Sequence, residues 1–397
     1  FYSALEGSQN VMVKPSPLRY NYLSNQALRN LDNHKYSCDD PSILSKYVFQ
    51  PWWEWVVRQL PENLAPNTCT VFGLVFMCLP SALLVWHCPT GKGNPPPWVV
   101  VSVAISTFVY QTLDAIDGKQ ARRLKAGSPL GELCDHGCDA VSTWFSLLAL
   151  GVSLQLEVNW TCFCIFWGLL AFYGAHFQTY NTGALQFGSI DVTEAQVVII
   201  TIHLLSAYFG HDMWTTNVAG MSLNHLILIP TCLCTLNSVG RNVYNSFKTL
   251  STGKPEKVAH TPTLTSILIP LLPCAVLHSC AAWLLFHPLS RPAVSAAPWA
   301  FVALWGLLNA QLVMLIIVHH MTQIQLHSLT VLWNLPMILP VLNTLFPVVP
   351  ASTALGAGLL AATIIFVHFT TCVSLQLCEW GRIRFFHVST WKPRSQE

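Results

Sequence analysis

The sequence predicts an all-α, polytopic integral membrane protein with about ten transmembrane helices and an N-terminal interfacial amphipathic helix. Scarcity of charge is the first observation behind this fold class. Of 397 residues, 52% are hydrophobic and 10% charged, against about 25% charged in an ordinary soluble protein. So few charges cannot clothe a soluble surface. Secondly, the apolar residues come in long runs almost free of ionisable groups: Val99–Leu113, Val197–Phe209, Leu264–Phe286, Trp299–Val318 and Thr353–Leu377. Thirdly, a cytosolic N-terminus would gather eighteen of the twenty lysines and arginines on one side, leaving only Lys92 and Arg291 opposite. That asymmetry marks cytosolic loops and calls for an even number of spans with both ends in the cytosol.

In chain order, the spans are expected at 66–87, 97–113, 138–157, 160–178, 196–210, 217–238, 263–286, 297–318, 328–347 and 353–378. Pro89, Pro95–Pro97, Pro255 and Pro347–Pro350 mark loops between them, since proline cannot continue a helix interior. Ahead of the first span, the stretch Phe49–Leu60 carries Trp52, Trp53 and Trp55 with few charges, which suits a short helix in the headgroup layer. The first forty residues are polar and lack an apolar core, so no cleavable signal peptide is expected. No repeat or low-complexity tract interrupts the chain. One membrane domain is expected over 1–397: a cytosolic N-terminal segment with the interfacial helix at 11–62, spans over 63–378 and a cytosolic tail at 379–397.

A net charge of +2 gives no ground for nucleic acid binding. Fourteen cysteines include no CxxC pair. Cys162 with Cys164, and Cys232 with Cys234, sit two apart and point away from each other on a helix, so the cysteines are read as small buried hydrophobes.

The chemistry concentrates in two stretches, Gln111–Arg123 and Gly131–Asp139. Asp114 and Asp117 are three apart, Asp135 and Asp139 four apart, so each pair shares a helix face. Two helix ends facing one another would bring four carboxylates together. Each costs about 2.5–3.5 kcal/mol at membrane depth on insertion scales, so cations must balance them. An all-oxygen donor set favours magnesium or manganese over zinc, and two such divalent ions would neutralise the four charges. Gly118 and Ala121 leave the helix backbone open to a flat base or a phosphate. Arg122 offers a planar fork for diphosphate oxygens, and Lys119 a second positive charge. Arg123 and Lys125 are read as ordinary cytosolic basic residues.

At these positions the chain resembles the CDP-alcohol phosphotransferases. The spacing Asp114-x2-Asp117-Gly118-x2-Ala121-Arg122-x8-Gly131-x3-Asp135-x3-Asp139 matches that family's signature at all eight fixed positions over twenty-six residues. The surroundings, Tyr110–Arg123, Ser128–Leu133 and Asp135-His-Gly-Cys-Asp139, look like the eukaryotic choline/ethanolamine members. So do His34-Lys-Tyr-Ser37, Leu64-Ala-Pro-Asn67, Asp191-Val-Thr-Glu194 and His320-Met-Thr322. Cys134 and the Leu124–Gly127 run depart from the relatives without touching a fixed position.

The resemblance implies that Asp114, Asp117 and Asp135 bind metal, with Asp139 completing the site. It also implies that Gly118, Ala121, Arg122 and Gly131 hold the CDP moiety, with Asn67 on the nucleotide side. The implied reaction moves phosphocholine from CDP-choline to the hydroxyl of diacylglycerol, giving phosphatidylcholine and CMP, with ethanolamine or dual specificity as the alternative. Endoplasmic reticulum or Golgi membranes, a cytosol-facing active site and a homodimer are expected on the same ground.

Two residues compete as the base for the alcohol proton. Asp139 is one. His136 is the other, with Glu132 four residues earlier and able to orient its ring. Asp191 and Glu194 admit two readings, an ammonium contact with Tyr173 or Tyr180 as aromatic partners and a plain acidic helix N-terminus. His319, His320 and His327 are read as interhelical polar residues rather than ligands. A polytopic transporter is the rival class, but its acids would scatter at mid-span in repeated halves. Here they cluster at the ends of two consecutive helices beside a basic loop.

Overall fold

A computed structural model describes residues 19–253, 258 and 262–392. Lys14, Lys254, Pro255, Lys257 and Arg394, used above for loops and orientation, lie outside the described residues. The helices are α1 (Asn25–Asn30), α2 (Gln50–Gln59), α3 (Pro66–His87), α4 (Pro97–Arg123), α5 (Pro129–Ser153), α6 (Val158–Thr182), α7 (Val192–Phe209), α8 (Leu223–Thr252), α9 (Leu264–Phe286), α10 (Arg291–Ala296), α11 (Pro298–Thr322), α12 (Leu335–Leu345) and α13 (Ala351–Gly381). Two short strand pairs complete the fold. β1 (Cys38–Asp39) runs parallel to β2 (Leu185–Gln186), and β3 (Asn217–Val218) antiparallel to β4 (Met221–Ser222).

Among the described residues, nine segments are long and apolar enough to cross a membrane. The remaining expected span corresponds to α5, which is 25 residues long. Its first half carries Glu132, Asp135, His136 and Asp139, and these lower its hydropathy without shortening it. The protein is an integral membrane protein. Helix starts follow local chemistry: Pro66, Pro97, Pro129 and Pro298 each occupy a first helical turn, where the missing N–H costs nothing. Ser128 caps α5 by accepting from Gly131 N at 3.2 Å. α6 stops at Gly183, whose φ of 81° a side chain would strain.

The core gathers around α11, whose apolar window is 89% buried, while the corresponding part of α8 is 11% buried and lies at the periphery. α9 contains Pro270 and Pro273. Its carbonyls at those positions accept from the Tyr173 hydroxyl (2.6 Å) and the Asn334 amide (2.8 Å), so the proline-bearing helix is tied to α6 and to the turn before α12. All fourteen cysteines are unpaired, as expected, but the expectation that they are buried holds for six; Cys38 and Cys234 are exposed and the rest half-buried.

The expected boundaries change most at three helices: the span expected at 217–238 opens with the β3–β4 pair, and its helix α8 runs from Leu223 to Thr252, while α4 and α5 both extend toward each other. Spans ending at 113 and beginning at 138 measured only the apolar stretches, whereas α4 runs on to Arg123 and α5 starts at Pro129. Backbone hydrogen bonding continues beyond the apolar run, and the connection shrinks to 124–128. α2 forms as expected, with Trp53 and Val57 packed on Ile116 of α4 and Trp52 and Trp55 exposed.

Candidate active site

The short α4–α5 turn sets the depth of the acids. Asp117 lies six residues before the end of α4, and Asp135 six residues after the start of α5. At 1.5 Å of rise per residue, both sit about 9 Å from the turn. Asp114 and Asp139, nine residues before the end of α4 and ten after the start of α5, form a second pair about one turn deeper. Asp114 lies within hydrogen-bonding reach of both Asp135 and Asp139, and Asp117 joins them from the next turn of α4. Thr70 of α3 donates to Asp117 Oδ2, and the Tyr110 hydroxyl donates to Asp139 Oδ1 at 2.6 Å.

Carboxylates have no proton donors to offer one another, and Asp114 Oδ1 is buried without a hydrogen-bond partner. This donor set fits hard divalent cations bound through oxygen. Candidate ligand atoms of Asp135, His136 and Asp139 lie within 4.8 Å of one another.

The expected nucleotide residues fall beside the acids. A Cβ at Gly118 would meet only the Arg122 guanidinium, at 3.5 Å, so the backbone there is open. Arg122 is exposed and makes no ion pair among the described residues. A Cβ at Gly131 would meet Asn67 Oδ1 and Ser128 Oγ, both at 3.6 Å, while Asn67 Nδ2 donates to the Phe385 carbonyl at 3.1 Å. Ala121 is half-buried on α4.

Lys119 departs from its expected place. It is held by Gln50 Oε1 (2.8 Å) and Glu54 Oε1 (2.6 Å) of α2, so its charge anchors the interfacial helix. Arg123 also has a built role, with one guanidinium nitrogen donating to the Val57 and Leu60 carbonyls, each at 2.9 Å.

Glu132 has a partner that the spacing did not offer. Helical spacing alone pairs it with His136, yet its Oε2 lies 2.6 Å from His34 Nε2. The chain before α2 bends back over this end of the bundle: Asn30 Nδ2 donates to the Thr322 carbonyl (2.7 Å) and the Trp380 indole to Asp32 (3.0 Å). Strand β1 continues that path along β2, and His34 is delivered onto the carboxylate. His136 is buried, with Nδ1 3.9 Å from Asp135 Oδ2 and its ring 4.9 Å from that of His176. Glu132, His136, His176, His320 and Tyr36 line one cavity of about 10 Å³, room for a single water.

Asp191 and Glu194 take the plainer of their two readings, forming a capping box at the start of α7. Asp191 also pairs with Arg241 at 2.9 Å. Tyr173 and Tyr180 are spent on backbone groups of residues 270 and 326. Sequence reasoning assigned no role to Thr70, Tyr110, His34, His176 or Tyr36. All but Thr70 and His176 stood in stretches singled out for resemblance, where a polar residue without a role was the available signal.

The model of the CDP-alcohol phosphatidyltransferase family matches residues 63–236. Cholinephosphotransferase 1 of Danio rerio is 36% identical over 372 residues, covering 92% of this chain and 96% of that protein. Its namesake in Homo sapiens is 35% identical over 307 residues, 77% of this chain and 75% of the relative. The Rattus norvegicus protein of that name is 35% identical over 310 residues, with 77% and 76% covered.

Proposed function

The chain belongs to the CDP-alcohol phosphatidyltransferase family, and from that premise we propose that it transfers phosphocholine from CDP-choline to the hydroxyl of diacylglycerol, releasing CMP and phosphatidylcholine. The observation that carries the reading is the convergence of Asp114, Asp117, Asp135 and Asp139 beside an open glycine face and an unpaired arginine. Bound by these carboxylates, two divalent ions, magnesium or manganese, supply the positive charge that a diphosphate and a departing CMP phosphate require.

The chain's own residues do the rest. Gly118 and Ala121 let the nucleotide approach the α4 backbone, and Arg122 forks onto its phosphate oxygens. Gly131 and Asn67 close the opposite side. Thr70 and Tyr110 orient the carboxylates of Asp117 and Asp139. The lipid hydroxyl attacks phosphorus in line with the departing CMP oxygen, and its proton passes to the His136 ring or to Asp139, the two bases within the cluster. Glu132 holds negative charge beside His136.

The likeness to cholinephosphotransferases supports choline as the alcohol. Basic asymmetry supports a cytosolic active site with both termini on that side. A homodimer in endoplasmic reticulum or Golgi membranes, and one membrane domain across 1–397, complete the proposal. Purified protein given diacylglycerol, magnesium and CDP-choline should release CMP and form phosphatidylcholine. Equal competition by CDP-ethanolamine would make the enzyme dual, and absence of CMP release with either would refute the reaction.

A further inference from the structure

Outside the signature, a second polar cluster is built against α5 from elements far apart in the chain. Ligand-type atoms of His34, Glu132 and His320 all lie within 4.8 Å of one another. They come from the segment before α2, from α5 and from the last turn of α11. The His34 and Glu132 side chains are only 6% and 9% exposed, and His320 is 8% exposed. The His34 and His320 rings stand 5.5 Å apart and nearly perpendicular, at 88°. A buried carboxylate is tolerated only with charge-assisted partners, and His34 supplies one at 2.6 Å. That residue and His136 line the same water-sized cavity.

Both histidines lie outside the residues matched by the family model, 63–236. We propose that His34, backed by His320, is a positioning residue for phosphoryl transfer: it locks the Glu132 carboxylate in place beside His136, at the end of the site where the lipid hydroxyl must be activated. The inference rests on the reaction and on the role of Glu132 proposed above. It makes the N-terminal segment part of the active site. A free Glu132 side chain has several rotamers, and displacement of about 1 Å in a catalytic group can cost about 10²-fold.

The test is a set of steady-state measurements on the full-length purified protein with CDP-choline and diacylglycerol. His34→Ala should lower kcat about 10- to 100-fold while KM for CDP-choline stays within about twofold, the sign of a contribution made in the transition state. His34→Gln keeps an N–H near Nε2 and should recover most of the rate. Because His34 acts through Glu132, the His34→Ala/Glu132→Gln double variant should be no slower than Glu132→Gln alone. A purely structural role predicts additive losses that follow the fraction of folded protein in thermal melts. That outcome would overturn the inference, as would zinc bound at one equivalent and lost in His34→Ala. Full kcat in His34→Ala with Glu132→Gln impaired would defeat this inference alone. Full kcat in Glu132→Gln would defeat it together with the role given to Glu132, and an inactive wild type would defeat the reaction itself.

Discussion

Two sets of acids lie at the same end of the bundle, and their surroundings differ. Asp191 accepts from Gly188 N, Val192 N and Arg241 Nη2, and Glu194 from Ser42 Oγ, Leu44 N and Asp191 N. Every one of those bonds ties α7 to a neighbouring segment or closes its first turn. The four acids of α4 and α5 receive two side-chain hydrogen bonds between them, from Thr70 and Tyr110; His136 Nδ1 stands 3.9 Å from Asp135, and Asp114 Oδ1 is buried with no partner. Donor supply separates the two cases. A carboxylate matched by N–H groups is a structural fixture, whereas crowded carboxylates with few donors have the charge that a bound cation would balance.

The sharpest way to break this contrast is to remove acids from each set. Asp114→Ala, Asp117→Ala or Asp135→Ala should abolish CMP release while the protein still purifies as a folded membrane protein. In chelator, each should melt at or above metal-free wild type, because one repelling charge is gone. Wild-type turnover in any of the three would end the metal assignment.

Next in size is the base. If His136 takes the lipid proton, His136→Ala should reduce kcat about 10²–10⁴-fold with KM for CDP-choline kept. A mild loss would move the role to Asp139, whose Oδ1 already accepts from Tyr110.

At the other set, Asp191→Ala should behave as the loss of a helix cap, costing about 0.5–2 kcal/mol of stability. Turnover per folded molecule should be retained. Lost turnover in fully folded Asp191→Ala would show that the α7 acids are not merely structural.

The smallest expected effect concerns α2. Lys119 holds the Glu54 carboxyl below its usual range, by hydrogen bond and by charge. A carboxyl depressed in the folded state stabilises above the ordinary glutamate range and loses that contribution as pH falls through its lowered value. Fluorescence of Trp52 and Trp55, exposed on α2, should therefore shift on acidification, and the shift should vanish in Lys119→Met. The same acid-side shift in that variant would remove the tether.

Much of this was written in one dimension. Apolar runs located the spans, because a membrane helix must fill the hydrocarbon with its own residues. The three- and four-residue spacing of the aspartates placed each pair on a face, because helical periodicity is local. Gly118, Arg122 and Gly131 belong to the same motif as the acids, and Asn67, from the start of the first span, lies against Gly131. What the chain order hid is just as specific. Glu132 was paired with His136 by spacing, yet it bonds to a residue ninety-eight positions away. Lys119 was assigned to phosphate and is held instead by α2, more than sixty positions earlier.

By itself, then, the sequence determined the membrane fold class, the α4–α5 acid pairs and the reaction family, all of which rest on contacts within a few residues or on composition. Only the tertiary structure decided which acids receive few donors, that Arg122 makes no ion pair among the described residues, and which histidines surround Glu132. Those outcomes depend on how α2, α11 and the segment around His34 pack over the ends of α4 and α5. No local period encodes them, because a side chain's partner across a bundle is chosen by geometry that the chain reaches only once it is folded.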